Sequence, residues 1–352
     1  MTKRLENPEA TGEGNDLLSS VGLGHGQRVD LVRAAGWPRY AWLRHGFSTR
    51  TGGVSTVYDS GGSQDQGAAA GSLNMGWTRQ DKAANVAENR RRFMAEVAGA
   101  PVQTAATSSS GPANPCSQFP VPCLVTLHQF HYGTVHIVES EDLAQGLLQT
   151  ADGRAVLRGD GLMTNLRGVF LGIQTADCVP ILVADVRRRA VAAFHAGWRG
   201  TLARIVERGI GTMRLRYGSR PQDMVAVVGP SIGPCCYAVG EEVRHEFESQ
   251  FAYAREIFSK VYDSNLARHK RTPLFLSART PGHSNIGPQI HLDLWEANRR
   301  QLLDAGVPAR RIQVVGECTA CTGLGTANGR KYFSHRAESG FTGRMLAAIG
   351  VA

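Results

Sequence analysis

Three apolar runs set close together in the middle of the chain limit the fold more than anything else in the sequence. Val169 to Gln174, Ile181 to Val183 and Ala190 to Phe194 each read as a strand, with only a few residues between one and the next. Parallel neighbours need a crossover of about a dozen residues or more, so these strands are expected to pair antiparallel. Pro180 cannot donate to a central ladder, which places Cys178 at a strand end or bend. Leu124 to Leu127 and Thr134 to Val138 form another candidate pair around Gln129 to Gly133. Further strands are expected at Met224 to Val228 and Ile312 to Val315, with a closing strand or helix at Thr342 to Val351.

Helical periodicity intervenes at Thr78 to Ala98, where Val86, Phe93 and Val97 share a face and Thr78 to Asp81 resembles a capped start. After His195, the residues Trp198, Leu202, Ile205, Val206, Ile210 and Met213 predict one amphipathic helix. Val239 to Phe251 and Leu292 to Ala305 predict two more. Runs of strands with intervening helices indicate an α+β fold of packed, mostly antiparallel sheets rather than a doubly wound one.

A chain of 352 residues buries a substantial core. Residues 1–35 read as a flexible extension, and 36–352 as one domain with insertions near 60–72, 103–123 and 261–286. No apolar run approaches the roughly 18 residues of a membrane span, and the polar N-terminus lacks a secretory signal. Seven cysteines, an odd number, fit a disulfide framework poorly and point to a reducing, cytoplasmic compartment. The net charge of +9 is carried almost entirely by arginine. Its clusters are scattered and no aromatic residues interleave them, so a nucleic-acid surface is not expected.

Cys178, His195 and His131 carry the chemistry that stands out. One thiolate and two imidazoles suit a borderline-soft divalent ion, and three protein ligands leave a fourth position open, as in catalytic zinc sites. Without a metal, Cys178 would be a nucleophile with His195 as its base. Asp177 either moves a proton or holds a neighbouring imidazole. Arg50 and Asn74, in glycine-rich loops, contact phosphate or ribose, or else stabilise turns. Ala196 to Gly200, with Arg199, reads as a phosphate seat at a helix start. His45 is expected to make a structural hydrogen bond, and Cys235, Cys236, Cys318 and Cys321 to serve packing.

Several blocks occur together in a recognisable order: His45 to Ser55, Leu73 to Gly76, Gln129 to His131, Gly159 to Gly161, Gln174 to Pro180, Phe194 to Gly200, Gly229 to Gly240, Cys318 to Cys321 and Tyr332 to Arg344. In this the chain resembles the YfiH-like, or laccase-domain, family, also labelled multicopper polyphenol oxidoreductase. Its members are regarded as purine nucleoside phosphorylases with adenosine deaminase activity. The resemblance implies two packed β-sheets flanked by helices, in αββα layers related to cysteine hydrolases. It also implies zinc, or copper in its place, on His131, Cys178 and His195, with purine nucleosides and inorganic phosphate as substrates. Arg50 and Arg199 would then hold phosphate, Asn74 and Ser231 would face substrate, and Asp177 would move the proton beside Cys178. The alternatives are a metal-free cysteine hydrolase and a copper-dependent polyphenol oxidase. Against the latter, 11 histidines include no His-x-His pair of the multicopper type.

Overall fold

A computed structural model describes residues 29–58, 71–99, 123–146, 148–150, 153–261, 289–326 and 329–352. The chain begins with strands β1 (Leu31–Val32), β2 (Leu43–Ser48), β3 (Thr51–Gly53) and β4 (Gly71–Ser72), then helix α1 (Ala83–Ala98). Strands β5 (Cys123–Thr126) and β6 (Val135–Ile137) precede a short α2 (Ser140–Gln145). The centre is β7 (Gly161–Thr164), β8 (Val169–Thr175), β9 (Val179–Asp185) and β10 (Ala190–Ala196). Helices α3 (Trp198–Leu202) and α4 (Ile205–Tyr217) lead to β11 (Met224–Val228), β12 (Ala238–Val239) and α5 (Glu241–Gln250). The rest is β13 (Phe258–Val261), β14 (Gln289–Leu292), α6 (Leu294–Asp304), β15 (Ile312–Val314) and β16 (Met345–Val351).

Two mixed sheets dominate. One runs β1-β2-β16-β8-β5 and the other β15-β11-β9-β10-β7-β6. Most neighbours are antiparallel, while β5 with β8, β6 with β7 and β11 with β15 are parallel.

Side chains alternate across each strand, and here both faces are buried. Leu171 and Ile173 of β8 and Ala347 and Ile349 of β16 meet Leu182, Ala184, Val191 and Val227 of the other sheet. The opposite residues Ile181, Val183, Ala192 and Phe194 pack under Ile205, Ile210 and Met213 of α4 and Leu302 of α6. Phe170, Leu346 and Ala348 pack under Phe93 and Val97 of α1. The layers are therefore αββα, the α+β arrangement read from the sequence.

Local departures have physical causes. β5 and β6 do not pair with each other: they belong to different sheets, and the residues between them carry the chain across. β8 and β9 part company likewise at Ala176 to Cys178. Helix α1 starts at Ala83 rather than Thr78, because the polar residues before it bond elsewhere. Thr78 Oγ1 meets the Tyr58 hydroxyl at 2.7 Å, and Asp81 accepts from Asn74 Nδ2 at 2.7 Å. The helix after His195 breaks in two at Arg204, whose φ is 55°. Pro180 lies inside β9 as its second residue, opposite His195, whose own N–H donates instead to Asp160 O at 2.7 Å.

The segment read as an extension already holds sheet, since buried Leu31 and Val32 form β1. The loop read as ending at Ser72 closes with β4 paired to β3. Cys123 is disulfide-bonded, against the expectation that the thiols are unpaired. The remaining extension and nearly all of the three insertions lie outside the described residues. No helix among the described residues is long and apolar enough to cross a membrane.

Candidate active site

The crossings from β5 to β6 and from β8 to β9 meet at one end of the sandwich, and Gln129 ties them together. Its amide donates to Gln174 O and accepts from Gln174 N–H, each at 2.8 Å. His131 follows on the first crossing and Cys178 on the second. The antiparallel register pairs Ala196 with Val179, so the end of β10 delivers His195 to the same place. One donor atom from each of His131, Cys178 and His195 lies within 4.8 Å of the others. The two imidazoles meet edge to face, with centroids 4.8 Å apart. Gly197 packs so closely that a Cβ there would lie 2.9 Å from Cys178 Sγ.

The backbone at both crossings is unusual. His131 has φ 65° and Asp177 φ 95°, in the left-handed region that non-glycine residues rarely adopt. Fixed hydrogen bonds hold each. Asp160, fully buried, accepts from the N–H groups of His131 (2.9 Å) and Tyr132 (2.7 Å) and from His195 Nδ1 (2.8 Å). That last bond puts a His195 proton on Nδ1 and directs Nε2 towards Cys178 and His131. Sequence reasoning gave Asp177 the option of orienting an imidazole, but Asp160 does this. Its signal was present as a carboxylate between two glycines at the start of a buried strand.

Asp177 organises the opposite wall. Its Oδ1 accepts from the hydroxyls of Thr319 and Ser334, both at 2.7 Å, and its Oδ2 from the Arg336 N–H at 2.6 Å. A carboxylate has about four acceptor positions, so one remains for the cavity that Asp177 lines.

Charges within the triad reinforce one another. Burial pushes the Cys178 thiol up, but the facing His195 and His131 outweigh it and lower the pKa to about 6. Burial pushes His195 down, and Cys178 with Asp160 reverses this, raising it to about 9. Burial likewise opposes ionisation of Asp160, yet His195 and two N–H groups hold it below the ordinary carboxylate range. Without a metal these shifts describe a thiolate–imidazolium pair, and a divalent cation would displace the His195 Nε2 proton. One sulfur and two imidazoles converging within 4.8 Å are the donor types that fit a zinc-type ion.

These groups sit in a cavity of about 740 Å3. Arg154, Arg199, Arg336 and Arg344 line it, together with Trp77, Trp198 and Tyr237. Arg199 stacks 4.2 Å over Trp198. Arg50, Asn74 and Ser231 do not line this cavity. Arg50 pairs with Glu338 at 3.0 Å and donates to Tyr58 O. Asn74 bonds Asp81 and Gly76, and Ser231 accepts from Trp295 Nε1 at 2.6 Å. Tyr132 points outward, 62% exposed and stacked on Phe130, so its ring stays clear of the ligand set. His45 makes the expected structural bond, accepting from Ala34 N–H at 2.8 Å.

Comparison with known proteins adds a second line of argument. Residues 44–110 and 113–352 match the family described as multi-copper polyphenol oxidoreductase laccase. Over 309 residues the chain is 34% identical to purine nucleoside phosphorylase YlmD of Geobacillus stearothermophilus, covering 88% of this chain and 94% of that one. It is 34% identical over 199 residues to adenosine deaminase RL5 of an unknown prokaryotic organism, covering 56% of this chain and 66% of that one. The crystal structure of Geobacillus stearothermophilus YlmD superposes with a TM-score of 0.65 at 30% identity, covering 96% of this chain and 99% of that one.

Proposed function

The chain belongs to the multi-copper polyphenol oxidoreductase laccase family, and on that footing we propose that it is a zinc-dependent purine nucleoside phosphorylase that also deaminates adenosine. The observation that carries this reading is the convergence of His131, Cys178 and His195 within a cavity lined by four arginines. Zinc on those three residues would supply a Lewis acid at a fixed point and keep one coordination position for substrate or water.

The protein's own groups account for binding and orientation. Arg199, Arg336 and Arg344 present planar donors suited to phosphate oxygens, a role the sequence assigned partly to Arg50. The aromatic faces of Trp77, Trp198 and Tyr237 offer stacking surface for a purine ring. In phosphorolysis a phosphate oxygen bonds to the anomeric carbon and the glycosidic C–N bond breaks. Its electron pair leaves with the base, and a proton must reach the departing ring nitrogen. In deamination water adds to the carbon bearing the amine and ammonia departs. Asp177, which lines the cavity, is our candidate for moving the proton in either case. Arg50, Asn74 and Ser231 brace the walls from behind.

The oxidase label does not transfer, because the chain lacks the paired histidines of a multicopper cluster. The test is product identity. Purified protein given inosine and inorganic phosphate is expected to release hypoxanthine and ribose 1-phosphate, and Cys178→Ala to release neither. Hypoxanthine release that ignores phosphate, or that survives in Cys178→Ala, would defeat the proposal.

A further inference from the structure

Four more thiols meet outside the cavity. Cys235 and Cys236 lie in the loop between β11 and β12, and Cys318 and Cys321 in the tight turn after β15. One sulfur from each lies within 4.8 Å of all the others. We propose that Cys235, Cys236, Cys318 and Cys321 form a second metal site, a closed structural one that binds a single zinc ion.

Dimensions decide the class of ligand. Zn–S bonds of about 2.3 Å put the sulfurs of a tetrahedron about 3.8 Å apart. Cys235 and Cys321 Sγ are 3.6 Å apart, and no pair exceeds 4.8 Å. An iron–sulfur cluster interposes its inorganic core between the thiolates and needs a wider cage. A disulfide would join two sulfurs and leave the other two crowded against it. Four soft donors with no nitrogen or oxygen among them select zinc, and a full set of protein ligands marks a structural site.

The backbone is arranged for thiolate charge. Gly233 N–H donates to Cys318 Sγ at 3.2 Å, and Cys318 and Cys321 are spaced to chelate one ion from a single turn. Backbone bonding between the two loops holds the halves together. Ser231 and Cys318 form a parallel bridge, with Thr319 N–H donating to Ser231 O at 3.0 Å.

The location gives the site a purpose. Ile232 and Tyr237, from the first loop, line the active cavity. Thr319, next to Cys318, holds Asp177. The ion would clasp two loops that form one wall of the cavity, with no open position for chemistry. The sequence hid this, because Cys318-x-x-Cys321 has no second C-x-x-C and its partners are an adjacent pair far upstream. Cys235, expected to serve packing, is exposed.

The exposure of Cys235 makes the test decisive. Metal content of the purified protein is expected to be two zinc ions per chain, falling to one in Cys321→Ser and to the other one in Cys178→Ser. If Cys321→Ser does not fold, the wild-type protein still answers through iodoacetamide labelling resolved by peptide mass spectrometry. Cys235 should resist alkylation until a chelator is added, then react at least about tenfold faster, because metal coordination and not burial protects it. One zinc per chain that Cys321→Ser leaves unchanged would overturn the proposal. So would a Cys235 labelling rate that the chelator does not alter.

Discussion

Asp160 positions two of the three candidate ligands at once. It sets the tautomer of His195 and holds the strained backbone of His131. Replacing it by Asn keeps the shape but removes the charge. Such changes behind a metal ligand typically cost about 10- to 100-fold in metal affinity, and Asp160→Asn is expected to fall in that range in competition with a chromophoric chelator. Unchanged affinity would mean that His195 is positioned by something else. His45 provides an independent test at the same scale. Burial, helped by Arg33, lowers its pKa from 6.5 to about 3, so the folded protein keeps it neutral. Its contribution is full above pH 6.5 and is lost as pH falls towards 3, by about 1.4 kcal/mol per unit. His45→Gln, which retains an acceptor for Ala34, should flatten the stability curve between pH 6 and 4 by one proton. An identical slope in both proteins would contradict this. The metal-type ligands were legible in the sequence because rare residue types stood out in polar, glycine-rich text. Asp160 stood within one of the recognisable blocks, between two glycines, but its role was not legible, because a buried carboxylate looks like any other until its partners are known.

At the scale of elements, the crossings from β5 to β6 and from β8 to β9 create the site, and β10, packed against α4, delivers His195 to it. Gly209 on α4 is the point of closest approach: a Cβ there would come within 2.2 Å of the Phe194 ring. Ala is favoured over Gly in a helix by about 1 kcal/mol. The fully buried Phe194 has nowhere to retreat, so overpacking should win. Gly209→Ala is expected to lower stability by about 1–2 kcal/mol net, measured by urea unfolding; a gain would show that the ring yields. Most strands were readable from their apolar runs. Their partners were not, because a short connection predicts antiparallel pairing whether the chain turns back within a sheet or steps across to another. That ambiguity concealed the crossings at Gln129 to His131 and Asp177 to Cys178. The break at Arg204 was hidden for a related reason, since apolar spacing continues across it while the backbone does not.

For the molecule as a whole, the αββα sandwich explains why residues from three distant stretches share one cavity. Its end is where β8, β9 and β10 bring their chemistry together. The order of the sequence blocks foretold this assembly, whereas the cavity's cationic lining required the three-dimensional arrangement, since Arg154, Arg199, Arg336 and Arg344 share no local pattern. We propose that the His131, Cys178 and His195 centre drives phosphate-dependent cleavage of purine nucleosides. The most direct measurement is hypoxanthine release from inosine and phosphate by metal-stripped protein, followed as zinc is added back, beside His195→Ala treated in the same way. Release should be negligible without metal, recover on adding zinc in the wild type alone, and be absent without phosphate. Full activity in the stripped protein, or equal recovery in His195→Ala, would contradict that proposal.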